Sequence, residues 1–93
     1  MAQIDVSKSD RGDAYEFQVT VREGRSATRH QVSLSKTDYD RLAGSKASPE
    51  ELVTASFRFL LEREPKESIL RSFDLTVIGR YFPEYEREIA RRL

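Results

Sequence analysis

The sequence predicts an α+β fold, with an N-terminal two- or three-stranded antiparallel meander followed by three to five helices that cover one face. Three observations predict it. Residues 14–23 alternate apolar with polar side chains, residues 28–35 do the same, and beyond them apolar residues recur at intervals of three and four. The hydrophobic period therefore changes once along the chain, from that of a strand to that of a helix.

Size and composition limit what such a fold can do. A chain of 93 residues, 38% apolar and 34% charged, is read as one domain spanning 1–93, because two independent cores would leave each too little surface to bury. Cysteine is absent and His30 is the one histidine, which excludes disulfides, thiolate metal sites and cysteine nucleophiles and fits a reducing compartment. No basic leader precedes an apolar run, and no stretch approaches the ~18 apolar residues of a membrane span, so a cytoplasmic location without membrane contact is expected. Sixteen basic residues balance sixteen acidic ones, and the halves are alike: eight against seven up to residue 47, then eight against nine. Zero net charge disfavours non-specific binding to nucleic acid.

Taken in order, Ile4 and Val6 form a short first strand, and the polar stretch from Ser7 to Asp13 reads as a loop. In the second strand Tyr15, Phe17, Val19 and Val21 face inward, and in the third His30, Val32 and Leu34 do so. Gly24 lies between them and suits a hairpin turn. With Gly24 and Arg25 as the turn, Val19 faces His30 and Phe17 faces Val32; a four-residue loop preserves the same parity. Ser35 caps a short helix over 36–43 that ends at Gly44 and turns Tyr39 and Leu42 inward. Ser48-Pro49-Glu50-Glu51 is a serine cap with proline at the first helical position and a glutamate three residues on, opening a helix that runs to Glu64. Its stripe of Leu52, Val53, Phe57, Phe59, Leu60 and Leu61 needs cover on more than one side. After Pro65 the spacing predicts helices over 66–72 and 75–82, then a last one opened by Pro83 and ending at Arg92. The β-branched run Leu75-Thr76-Val77-Ile78 also suits a strand, but the longer period favours helix.

Few residues suggest chemistry. His30 lies on an inward strand face with no serine or second histidine at a meaningful spacing, so it reads as structural, and no ligand spacing suggests a metal. The glycines are isolated, so there is no phosphate-cradling loop and no cofactor is expected. Arg22, Arg25 and Arg29 cluster about the hairpin tip, where they either solubilise and protect the sheet or contact an anion. Tyr81-Phe82-Pro83-Glu84-Tyr85 is the densest aromatic run; Tyr81, Phe82 and Tyr85 either seal the core or contact a partner.

From Thr28 to Glu64 the order of elements resembles the ribbon-helix-helix transcriptional regulators. The stretch comprises His30-Gln31-Val32-Ser33-Leu34-Ser35, Lys36-Thr37-Asp38-Tyr39-Asp40-Arg41-Leu42, Ser48-Pro49-Glu50-Glu51-Leu52-Val53 and Phe57-Arg58-Phe59-Leu60-Leu61. The resemblance implies a dimer whose paired strands enter the major groove and read bases through Arg29, Gln31 and Ser33. A first helix about one turn short, a hairpin partner within the chain and zero net charge depart from that pattern. The expectation for the chain is a non-catalytic binding or interaction module, homodimeric, with a DNA-binding regulator of ribbon-helix-helix type as the alternative.

Overall fold

The computed structural model describes residues 2–93. Three strands, β1 (Gln3–Asp10), β2 (Ala14–Glu23) and β3 (Ser26–Ser35), form the antiparallel meander. The hairpin register is that of the two-residue turn: Glu23 pairs with Ser26, Val19 with His30 and Phe17 with Val32. Gly24 takes a φ of 61° at the first turn position, a conformation that costs a residue with a Cβ and that twists the hairpin in the favoured sense.

β1 is longer than expected, because Ser7 to Asp10 continue the ladder opposite Gln18 to Tyr15 and leave only residues 11–13 to turn. Ladder hydrogen bonds outweigh the turn propensity of that polar stretch. Lys8 sits over the Tyr15 ring at 4.9 Å, and Asp10 pairs with Lys36 at 3.1 Å.

The helices follow on one side of the sheet. α1 (Lys36–Leu42) is capped by Ser35, whose hydroxyl accepts from the Asp38 amide. α2 (Pro49–Leu61) opens with the reciprocal cap: the Ser48 hydroxyl accepts from the Glu51 amide at 3.1 Å, and the Glu51 carboxylate accepts from the Ser48 amide at 2.8 Å. It buries Leu52, Val53, Phe57, Phe59 and Leu60, and packs against β1 on one side and the C-terminal helix on the other. The stripe is therefore covered from two directions, as its width requires.

The segment after Pro65 departs from expectation. Instead of a helix over 66–72, a single 3-10 turn (Lys66–Ser68) leads into an extended run and a fourth strand, β4 (Ser72–Asp74), parallel to β3. Without β4 the Gln31 amide on that edge of β3 would lack a partner; it donates instead to the Arg71 carbonyl at 2.7 Å. Seven residues behind a proline gain too little from isolated helix formation to compete with that pairing.

Next come a 3-10 turn (Leu75–Val77) that runs directly into α3 (Ile78–Tyr81), and then α4 (Tyr85–Arg92), so the helix expected over 75–82 is present with a 3-10 first turn and the final helix begins two residues after Pro83. Asp74 caps the start of this run, its carboxylate accepting from the Thr76 amide at 3.1 Å and from the Thr76 hydroxyl at 2.5 Å. The result is a four-stranded sheet in the order β1-β2-β3-β4 with four helices on one face. Among the described residues no helix is long and apolar enough to cross a membrane.

Candidate functional site: an apolar groove beside the fourth strand

Phe73 is the inward residue of β4, since it pairs with Val32 of β3. Its ring packs 6.0 Å from that of Phe57 and is half-buried, with a hollow beside it. The C-terminal end of α2 supplies Leu60, and the turn after it Glu64, to one wall of the resulting groove, and the extended run supplies Ile69 and Leu70. Val77, Ile78, Tyr81 and Phe82 form the other wall. The hollow measures about 340 Å³, at the small end of ligand pockets, and is mostly apolar with a carboxylate and two hydroxyl-bearing side chains, Ser68 and Tyr81.

Two large apolar side chains among the described residues stand in water, Leu70 at 48% and Tyr81 at 68% exposure, and both line this groove. Elsewhere the large apolar residues are buried or half-buried.

The groove separates the aromatic run that the sequence assigns either to the core or to a partner contact. Tyr81 is exposed on its rim and Phe82 is half-buried in its wall, packing edge-on to Phe59 at 5.9 Å. Tyr85 is a core residue with no exposed surface, so of the two alternatives it seals the core and is not available as a partner contact. The break at Pro83 turns α4 relative to α3, and the Tyr85 hydroxyl reaches Ser56 at 2.6 Å. Ser56 donates to the Leu52 carbonyl, so Tyr85 is the donor of the pair. Burial pushes the Tyr85 phenol well above its ordinary value.

His30 is buried and bonded through both nitrogens. Nδ1 donates to the Leu70 carbonyl at 2.8 Å, since a carbonyl only accepts, and the other nitrogen, Nε2, then accepts from the Thr28 hydroxyl at 2.8 Å. Its ring lies 5.4 Å from Phe57. The histidine thus fixes the backbone of the groove rim across forty positions of sequence.

The basic cluster is on the opposite side. Arg22 and Arg29 are diagonal neighbours on the uncovered outer face of the sheet, and Arg25 occupies the hairpin turn. Arg22 is bonded to Asp5 at 3.3 Å. Gln31 is exposed, whereas the Ser33 hydroxyl is committed to the Asp74 carboxylate at 2.8 Å. The pairing rows put Asp5, Glu16 and Asp74 on this face with the two arginines, so its charge is mixed. A small polar hollow of about 220 Å³ adjoins Gln31, Ser33 and Asp74. β3 has β2 along one edge and β4 along the other from Gln31 to Ser33, where a ribbon-helix-helix strand would meet its dimer mate. Among the described residues no three His, Asp or Glu side chains gather so as to hold a metal ion.

Leu70, Phe73 and Glu64 were not singled out as site residues from sequence. The available signal was the adjacent pair Ile69-Leu70: in an extended chain neighbouring side chains point oppositely, so one of them must face water. No protein-family model, no curated protein and no solved structure matches the chain.

Proposed function

We propose that this chain is a non-catalytic protein-interaction module, homodimeric, which works through the groove between the end of α2 and residues 68–82. The observation that carries the reading is the placement of both strongly exposed large apolar side chains, Leu70 and Tyr81, on the rim of one hollow. Exposed apolar surface collected in one place marks a contact site, whereas scattered residues do not. The groups best suited to chemistry support a non-catalytic role: His30 and Tyr85 are buried and engaged by internal hydrogen bonds. Glu64 gives the groove a preference for an apolar anchor that carries a cation beside it.

Two small probes of opposite charge test this. Phenethylammonium should shift the amide NMR signals of Leu60, Phe73 and Val77 in dilute protein, phenylacetate should do so far less, and Glu64→Gln should erase the difference. Equal response to both probes, or shifts located elsewhere, would overturn the reading.

A duplex-DNA regulator of ribbon-helix-helix type ranks second. Its support is Arg25 and Arg29, exposed and in no ion pair among the described residues. It requires that a randomised duplex pool yield an enriched motif whose binding weakens by about 1–3 kcal/mol in Arg29→Ala and falls steeply with salt. The mixed charge of the outer face favours the opposite result, no enrichment by folded protein.

A further inference from the structure

The groove leaves open which anchor it takes, and the chain's own rim has the required chemistry. Each exposed apolar residue on it adjoins an exposed arginine: Leu70 precedes Arg71 and Tyr81 follows Arg80. Neither arginine is in an ion pair among the described residues, and neither is the Glu64 carboxylate in the wall. One patch therefore holds a protruding aromatic ring, a hollow of about 340 Å³ and a free carboxylate, and a free cation follows or precedes each of its exposed apolar residues in the chain.

We infer that the groove's occupant is a second copy of this chain, with Tyr81 of each copy entering the hollow of the other and Arg80 of each meeting the other's Glu64. This rests on the groove being a protein-contact site. Charge complementarity selects the occupant: a patch with one sign of charge would select a partner of the opposite sign, whereas a patch with both signs beside a knob and a hole complements itself. Two such patches related by a two-fold axis make every contact twice and close at two copies, leaving no free groove for a third. The contact belongs to the small class of interfaces, burying less than about 1,200 Å² in total, which form reversibly.

Charge exchange tests the pairing. Wild-type protein in sedimentation should pass from monomer to dimer as its concentration rises. Glu64→Arg alone and Arg80→Glu alone should each weaken self-association by about tenfold or more, since each homodimer then sets like charges against each other twice. Mixing the two variants should restore association as a one-to-one heterodimer, because residue 64 of each copy again meets an opposite charge at residue 80 of the other. Both positions are at the surface, and far-UV circular dichroism should confirm that each variant is folded. Tyr81→Ala should weaken the dimer without altering charge.

A wild type that stays monomeric throughout, variants that dimerise as well as wild type, or a mixture that forms no heterodimer would each overturn the inference. If phenethylammonium still reports on the groove of that monomeric protein, the groove stands as an interaction site, and the second copy is rejected together with the homodimeric part of the proposed function.

Discussion

Tyr85 keeps a hydroxyl inside the core by donating a hydrogen bond to Ser56, which donates its own to the Leu52 carbonyl. Removing the acceptor differs from removing the donor. Ser56→Ala strands a buried phenol and should cost about 1–3 kcal/mol, whereas Tyr85→Phe leaves Ser56 still bonded and should cost about 0.5–1.5 kcal/mol. Denaturant unfolding of both variants and of the double variant should show a double cost smaller than the sum. Alkaline pH supplies a second measurement. Because burial raises the phenol's value in the folded state, its contribution is complete below the unfolded value of about 10 and is lost as pH rises beyond it. Tyr85→Phe should therefore retain more of its neutral-pH stability in strong alkali than wild type does. The different fates of Tyr81 and Tyr85 were not legible in the sequence. They are four residues apart, the spacing of one helix face, and only the turn at Pro83 puts one in water and the other in the core.

At the scale of elements, the cap on α2 was the most legible feature, since both of its hydrogen bonds follow from residue types at fixed positions. Ser48→Ala should lower stability by about 0.5–2 kcal/mol in chemical denaturation, while Ser45→Ala, outside the cap, should change little. The cap's hydrogen bonds hold the Glu51 carboxyl below its ordinary value, so its contribution is present above the unfolded value near 4.3 and is lost as pH falls through the lower folded one. The hairpin was equally legible, because alternation and a single glycine leave few registers. β4 was not. Its three residues carry no period, and their conformation is set by the open edge of β3, forty positions earlier in the chain. Apolar spacing after Pro65 mixed buried Ile69 with exposed Leu70, and so imitated a helix. Asp74→Ala removes the bonds to Ser33 and Thr76 and should speed amide exchange at Gln31 more than at Val19. Equal protection at both amides in that variant would show that β4 docks without the carboxylate.

For the whole molecule, the sheet's inner face and α2 share one core, with Phe17, Phe57, Phe59 and Tyr85 fully buried in it. Phe17→Ala should cost about 3–5 kcal/mol, a large part of the total stability of so small a domain. A loss below about 1 kcal/mol in a denaturant titration would mean that this face is not the core. The parallel pairing of β4 also bears on the order in which the molecule assembles. The meander joins neighbouring segments through tight turns, but the bonds from His30 to Leu70 and from Ser33 to Asp74 each close a loop of about forty residues, an entropic cost met only after the local contacts have formed. During synthesis the sheet is thus complete on its β1 side before the residues that finish its β3 side have emerged. In that interval the edge from Gln31 to Ser33 is an unpaired template, and the groove, whose walls come from the last third of the chain, does not yet exist. Docking of β4 therefore does two things in one step, shutting an edge that invites aggregation and completing the walls of the groove.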